Sequence, residues 1–258
     1  MLFRSFRGAV EAGLYHRVCL RRGIEWTQQG QDDWVAAAYR FYGDDAPEEL
    51  DAVPSMSAGA YLSLALIQQR MVTPWPENPD GPVVIRGKWD DGFAYLPEDT
   101  RRHAIDGWLR EHVDPHLARL HRGRRHVFGE DFARNRDQAV TTILEEDADL
   151  THRPRITIEL ANCPFSSQEQ ILKHIVRRLP RFRGGAMDAT GNGAALAEAM
   201  AQEFGVEMVE QVKLNDAFYL AHMPKLKAGL QDGTLRDLAR DAEHSDDLRA
   251  IKMVQGVP

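Results

Sequence analysis

RRHVFGEDFARNRD, residues 124–137, predicts a buried strand that runs out into a polar turn. Residues 126–132 alternate weakly and hold two aromatic side chains, which favours a strand, and the charged run 133–137 breaks it. A second strand-like run, Gln138–Leu144, follows and is rich in β-branched residues. Asp131 is therefore expected near the end of a first strand, beside a hairpin. A carboxylate there is costly to bury unless turn amides, a partner charge or a bound cation offset the cost.

The chain after residue 144 alternates between strands and helices in a regular order. The acidic run Glu145–Asp149 is expected in a turn. Strands are then expected at Arg155–Leu160, Gly184–Ala189 and Val206–Val212. Helices are expected between them, at Ser166–Leu179 and 193–204, and after them, at Asn215–Leu230 and from near Ser245. Three antiparallel strands leading into parallel βαβ units describe the ribonuclease H-like fold, an α/β fold with a mixed five-stranded sheet flanked by helices. Its first strand is central and neighbours the fourth, which predicts that Asp131 lies beside Asp188.

Residues 1–120 predict a mainly helical region. Helices are expected at Val10–Arg22, Asp32–Phe41, 60–71 and Pro97–Leu120, with a proline-rich connector at 73–82 and a short strand at Val83–Ile85. We therefore expect two parts, a helical connector region at 1–120 and the α/β domain at 121–258.

The composition excludes several classes of protein. The chain has 258 residues, of which 43% are hydrophobic, and no run approaches the ~20 apolar residues that span a bilayer. Cys19 and Cys163 are far apart, so we expect neither a disulfide framework nor a zinc site, and a reducing cytoplasm fits. The net charge of −7 argues against a nucleic-acid binder, although basic residues cluster at 119–136 and 173–183.

Asp131, Asp188 and Asp247 are the candidate ligands of a metal site. Hydrolysis of a phosphodiester uses two divalent ions about 4 Å apart, and hard ions such as Mg²⁺ prefer carboxylate oxygens. Three acids from distant parts of the chain could supply those oxygens at one end of the sheet. Each acid also has a simpler explanation. Asp131 could be a strand-end residue that is hydrogen-bonded to turn amides, Asp188 could cap the helix that follows it, and Asp246 and Asp247 could cap the last helix. No GxxxxGK[ST] pattern is present, so we expect no ATP site.

Four segments of the chain resemble the large terminase subunit of Mu-like phages and prophages. They are Phe128–Arg134, Arg181–Gly193, Met223–Lys227 and Asp246–Ala250, and shorter likenesses lie at 162–172 and 42–62. The likeness runs in order over nearly the whole chain. A full large terminase has an N-terminal packaging ATPase and a C-terminal nuclease. This chain resembles the C-terminal part, together with the connector that follows the ATPase.

The resemblance implies a metal-dependent endonuclease that cuts double-stranded phage DNA when packaging starts and ends, with two Mg²⁺ or Mn²⁺ ions. It assigns the metal-binding acids to Asp131, Asp188 and Asp247, with Asp246 as a near-equal candidate for the third. Asp137 is expected to order the hairpin. Four arginines are expected to contact the DNA backbone: Arg134, Arg136, Arg181 and Arg183. The implied partners are portal protein and the small terminase subunit, with no membrane, in the cytoplasm of the bacterial host.

Three other functions stay open at this point. The first is a docking module that binds portal or small terminase protein and has a weak or inactive nuclease. The second is a transposase or Holliday-junction resolvase of the same fold, although the sequence shows no clear helix-turn-helix. The third is a small-molecule enzyme, for which the sequence offers no nucleophile–base pair and no cofactor motif.

Overall fold

The structure is a computed structural model that describes residues 5–42, 46–51, 60–132, 138–191, 193–254 and 256–258. Contacts between residues divide the chain into two compact units, one of residues 1–68 with 245–256 and 258, the other of residues 69–244 with 257. This division concerns packing alone, so the role of residues 1–120 as a connector stays a prediction. None of the described helices is long and apolar enough to cross a membrane.

The first unit is helical. Its elements are α1 (Phe6–Glu11), α2 (Leu14–Arg22), α3 (Gln28–Tyr42), α4 (Ala46–Glu49), most of α5 (Leu64–Arg70) and the part of α11 (Ala242–Ala250) from Ser245 onward. The single helix expected at Val10–Arg22 is wrong, because Gly13 interrupts it with a φ of +83°. The Trp34 ring lies between two others, 5.3 Å from the Phe6 centroid and 5.2 Å from that of Tyr15. These ring contacts tie α1, α2 and α3 together.

The second unit is built on a six-stranded mixed sheet. Its strands are β2 (Val83–Lys88), β3 (Arg125–Asp131), β4 (Ala139–Glu146), β5 (His152–Ala161), β6 (Phe182–Asp188) and β7 (Val209–Val212). Their order is β2-β5-β4-β3-β6-β7, with β3 antiparallel to β4 and parallel to β6. The expected ribonuclease H-like arrangement, with the first strand inside the sheet, is confirmed. The expected count of five strands is wrong, because β2 adds a parallel strand beside β5.

Two short strands and several helices complete the second unit. Strands β1 (Met71–Val72) and β8 (Leu238–Ala239) pair with each other. The helices are α6 (Glu98–Trp108), α7 (Asp114–Leu117), α8 (Phe165–Val176), α9 (Gly193–Phe204), α10 (Asp216–Asp232) and the beginning of α11 (Ala242–Ala250). One sheet face carries a row of buried side chains from Phe128, Ile143 and Ile156, which are in register. This row belongs to one apolar core with residues of α6, α8 and α9.

The helix expected at Pro97–Leu120 is broken in the structure. α6 ends at Trp108, Leu109–Val113 forms a π-helical turn, and α7 begins at Asp114. Pro115 explains the change, because proline has no N–H and its ring clashes with the carbonyl four residues earlier. A wider turn relieves that clash. The apolar stripe is nevertheless buried as expected, at Ile105, Leu109, Val113, Leu117 and Leu120.

Candidate active site

Asp131 and Asp188 lie at the ends of two neighbouring parallel strands. β3 pairs with β6 in register up to Glu130 and Met187, and each aspartate is the next and last residue of its strand. Neighbouring strands run about 5 Å apart, so the two carboxylates can reach the same space. Asp131 is exposed and Asp188 is partly exposed. The structure therefore brings together two of the acids that the sequence singled out.

The sheet beside these two acids carries small residues. Side chains alternate along a strand, so Asp131 points to the same face as Gly129, and Gly129 is paired with Ala186 on β6. A Cβ built on Gly129 would meet no atom of the described residues within 4 Å. As far as the described residues show, the two aspartates therefore border open space, on the face of the sheet opposite the apolar core.

The turn after β6 holds Asp188 through main-chain contacts. Its Oδ1 accepts a hydrogen bond from the Thr190 N–H at 2.8 Å, which closes a turn before the helix and does not cap α9 itself. The Thr190 carbonyl accepts a hydrogen bond from the N–H of Gly193 at 3.1 Å. A Cβ at Gly193 would lie 2.5 Å from the Asp188 carbonyl oxygen, so glycine lets α9 begin this close to the strand. The Leu214 N–H, just beyond β7, donates to Thr190 Oγ1 at 3.3 Å.

Phe132 secures the segment that follows Asp131. Its ring packs against Phe165, the first residue of α8, with the two centroids 4.6 Å apart. The same ring lies 3.4 Å from the position of a Cβ on Gly193. These contacts connect the end of β3 with the beginnings of α8 and α9.

Glu130, which the sequence analysis did not single out, lies beneath Asp131 on the core face of the sheet. Its side chain is buried, and among the described residues its Oε2 has no hydrogen-bond partner. Burial, with a smaller contribution from the Asp131 charge, raises the pKa of Glu130 to about 8. Burial also raises the pKa of the Cys163 thiol to about 12, with a smaller contribution from Glu130. Glu130 is therefore mainly neutral at pH 7. Side chains alternate along a strand, so Glu130 points to the same face as Phe128, two residues earlier. This alternation is the sequence signal that could have predicted the burial of Glu130.

The chain is similar in sequence to curated phage proteins, although no family model matches it. Over 252 residues, 97% of the chain, it is 38% identical to "Probable terminase, large subunit gp28" of Escherichia phage Mu. Over 252 residues it is also 36% identical to the Mu-like prophage FluMu protein gp28 of Haemophilus influenzae. Over nearly its whole length the chain is thus similar to the large terminase subunits of Mu-like phages and prophages.

The chain spans about half the length of these terminase relatives, 45% of the phage Mu protein and 48% of the FluMu protein. Among solved structures it is similar to the large terminase nuclease of thermophilic phage G20c with bound magnesium. That likeness has 15% sequence identity and a TM-score of 0.48, over 76% of this chain and 81% of the other. The similarity to large terminase subunits rests on the two sequence relatives, which match nearly the whole chain.

The acids expected as the third ligand are carried by α11. Asp246 and Asp247 are both exposed and lie in the second turn of α11, which begins at Ala242 and not near Ser245. Residues of α11 from Ser245 onward belong to the first unit. Within the described part of the chain, no group of three or more His, Cys, Asp or Glu side chains could hold a metal ion. The role of Asp247 or Asp246 as the third ligand therefore stays a prediction.

The explanation of these two acids as helix caps is wrong. The residue that caps α11 is Asp241, whose Oδ1 accepts hydrogen bonds from the backbone N–H groups of Glu243 at 3.0 Å and His244 at 3.3 Å. Asp246 and Asp247 come later in the helix, so their carboxylates are not needed for its beginning.

Two of the four arginines expected to bind DNA, Arg181 and Arg183, lie well away from Asp188. Arg183 is near the beginning of β6 and Arg181 precedes it, whereas Asp188 ends the strand. At about 3.3 Å per residue, Arg183 lies roughly 16 Å and Arg181 roughly 23 Å from Asp188. Arg181 Nη1 donates a hydrogen bond to the Gly123 carbonyl at 3.1 Å. Three further residues lie outside the described residues, and their roles stay predictions: Arg134, Arg136 and Asp137.

Proposed function

We propose that this chain is the metal-dependent endonuclease part of a phage DNA-packaging terminase, which hydrolyses phosphodiester bonds of double-stranded DNA. The observation that carries the proposal is the pair of acids Asp131 and Asp188, which end adjacent parallel strands and border open space. The relatives named as large terminase subunits support the context of DNA packaging.

Asp131 and Asp188 suit hard divalent ions such as Mg²⁺ or Mn²⁺. These ions prefer carboxylate oxygens and usually keep several water ligands, so an open, exposed pair of acids is appropriate. Both carboxylates come from paired strands, and the Thr190 N–H orients the Asp188 side chain. When bound, two ions would activate a water molecule and stabilise the leaving oxygen. We propose Asp247, or Asp246 beside it, as the third ligand.

The protein groups around the ions would position the substrate and balance charge. Gly129 has no side chain and Ala186 has only a methyl group, so they would leave room on the sheet for a phosphate backbone to approach. Arg134 and Arg136 would offset phosphate charge as the duplex arrives. The hydrogen bonds of the Thr190 N–H to Asp188 and of the Gly193 N–H to the Thr190 carbonyl would keep the end of β6 in place before any ion binds.

We infer that the nuclease works inside a packaging complex. A net charge of −7 opposes DNA binding by the chain alone, so partner proteins would bring the duplex to the acids. The proposed partners are portal protein and the small terminase subunit, and the proposed location is the cytoplasm of the bacterial host. A docking module that binds these partners without cutting DNA is the competing function. DNA cleavage that is lost when the aspartates are replaced would distinguish the nuclease from such a docking module.

Plasmid nicking in Mn²⁺ by the Asp131→Asn and Asp188→Asn variants tests the proposal. Asparagine keeps the shape of the side chain and an oxygen acceptor for the turn, but it removes the negative charge. Cleavage should fall on the order of a thousandfold or more, because the ions that make the nucleophile are no longer held. Without metal, both variants should melt at or above the temperature of the parent, since two like charges no longer repel.

Asp149→Asn is the matched control. Asp149 is exposed, and its Oδ1 accepts a hydrogen bond from the N–H two residues later, Thr151, at 3.1 Å, as Asp188 does from Thr190. It lies in the turn between β4 and β5, at the opposite end of the strands. This variant should cut like the parent. If Asp131→Asn folds and also cuts like the parent, the nuclease proposal is wrong.

A further inference from the structure

A buried carboxylate, Glu159, lies on the same face of the sheet and in the same row as Asp131. The strand registers pair Asp131 with Val140, Val140 with Glu159, and Glu159 with Arg86. Two strand spacings, roughly 10 Å, separate Glu159 from Asp131. The Glu159 side chain is only 5% exposed, and a buried carboxylate needs partners to offset its lost hydration.

The partners of Glu159 join the sheet to the first turn of α11. Glu159 Oε1 lies 2.6 Å from His244 Nε2, and Oε2 forms an ion pair with Arg86 Nε at 2.7 Å. The same guanidinium donates from Nη2 to Asp241 Oδ2 at 2.9 Å, and Asp241 is the cap of α11. We call these four residues, Arg86, Glu159, Asp241 and His244, the helix anchor. All of them belong to the second unit.

Two simpler roles fit the helix anchor less well. Glu159 is poorly placed as a further metal ligand, because its two oxygens are engaged by His244 and Arg86 and a row of the sheet separates it from Asp131. A purely stabilising role is weak, because the loss of hydration offsets much of the attraction in a buried ion pair. Such a cluster instead holds the first turn of α11 in one defined geometry relative to the sheet. Arg86 suits this task, since its Nε and Nη2 reach three carboxylates, those of Glu159, Asp241 and Glu243, whereas a lysine side chain has a single nitrogen.

We propose that the helix anchor positions α11, which carries Asp246 and Asp247, for the metal site; this inference rests on the proposed nuclease function. The four anchor residues are positioning residues that touch neither the ions nor the DNA. The anchor ends at His244, and the two acids follow within one helical turn. A displaced first turn would therefore displace the acids. Loosening the anchor should reduce the fraction of molecules with the third acid in place, and the apparent metal affinity falls with that fraction.

Arg86→Lys and Arg153→Lys form a matched pair of variants. Arg153, on β5, also bridges two carboxylates, those of Asp147 at 3.0 Å and Asp237 at 2.9 Å, but it does so at the other end of the strand from Glu159. In the 258-residue chain, Arg86→Lys should raise the Mn²⁺ concentration for half-maximal plasmid nicking about tenfold. Saturating Mn²⁺ should recover most of the activity. Arg153→Lys should keep the metal dependence of the parent.

Amide hydrogen exchange in α11, measured without metal, gives a readout that does not depend on cleavage. Arg86→Lys and His244→Ala should both speed exchange in α11. His244→Gln keeps a donor for Glu159, so it should restore slow exchange and the metal dependence of the parent. Arg153→Lys should leave exchange in α11 unchanged.

The outcomes separate the anchor from the nuclease function. The anchor proposal is overturned if the two lysine variants alter metal dependence equally, if neither alters it, or if exchange in α11 speeds up while metal dependence stays the same. If Asp131→Asn cuts like the parent, the nuclease function fails and the positioning role falls with it. In that case the exchange difference between Arg86→Lys and Arg153→Lys still reports whether the cluster holds α11.

Discussion

Replacing Glu145 with glutamine should destabilise the fold at neutral pH, and the loss should shrink in acid. Glu145 is on β4, at the end of the strands away from Asp131, and its side chain is 2% exposed. Its Oε1 accepts a hydrogen bond from Arg124 at 2.5 Å, and its Oε2 lies 3.5 Å from Nε2 of the fully buried His126. Burial alone would raise the pKa of Glu145, but the nearby His126 imidazole, the hydrogen bond from Arg124 and the Arg124 charge outweigh it. The pKa falls to about 2.

The size of the effect follows from that pKa. The ordinary value is 4.5 and the folded value is about 2, and each pH unit between them corresponds to about 1.4 kcal/mol. Because the pKa is lowered on folding, the ionised Glu145 stabilises the fold above pH 4.5, and this stability is lost as the pH falls towards 2. Its contribution is roughly 3 kcal/mol at pH 7 and roughly 2 kcal/mol at pH 3.5. Glutamine imitates the protonated side chain, so Glu145→Gln should lack this contribution at every pH.

Urea denaturation at pH 7, 4.5 and 3.5 measures the difference in unfolding free energy between the parent and Glu145→Gln. The control is Glu111→Gln, since Glu111 is 76% exposed and its recorded ion pair, with His112, is as long as 3.9 Å. A substitution at such a site should change stability by less than about 0.5 kcal/mol. Equal stability of the parent and Glu145→Gln at pH 7 would refute the argument. A difference that does not shrink between pH 7 and pH 3.5 would refute it too.

Three further predictions concern the site and its surroundings. Gly193→Ala should lower the free energy of unfolding, measured in urea or by heating, by about 1–3 kcal/mol, because its Cβ would lie 2.5 Å from the Asp188 carbonyl oxygen. The control is Gly107→Ala, which should not destabilise the chain, because a Cβ there meets no described atom within 4 Å. The Cys163 thiol, with its pKa raised to about 12, should resist iodoacetamide at pH 8 until the chain unfolds, and fast labelling of the native chain would contradict this. Arg183→Ala should reduce the slope of log affinity for DNA against log salt by about one, and an unchanged slope would place Arg183 away from the DNA backbone.

Much of the second unit could be predicted from the sequence. The period of two in residues 126–132 and 155–160 and the helical spacing of the apolar residues at 171–179 depend only on neighbouring residues. The strands β3 to β7 and the helices α8 and α9 appear in the expected order. The pairing of β3 with β6 followed from the chain order, since βαβ connections permit few topologies. That pairing places Asp131 beside Asp188.

Other features could not be predicted, because they depend on contacts between distant residues. The acidic run at Glu145 looked like a turn, but β4 continues to Glu146 because Arg124, across the β3–β4 hairpin, pairs with Glu145. β2 looked like part of a connector, and only the surface presented by β5 makes it a sheet strand. The local sequence shows neither that Arg124 will pair with Glu145 nor that β5 will pair with β2.

The amino-acid sequence by itself determined which acids are candidates for the site and which family the chain resembles, because strand period, glycine positions and motifs can be read from the order of the residues alone. Only the tertiary structure decided which face each side chain occupies. It placed Glu130 in the core and Asp131 in the open, although the two are neighbours in the chain. It also joined Arg86, Glu159 and His244 across more than 150 residues. Burial and charge pairing depend on which strands and helices meet, and the register between them is set by the whole folded chain.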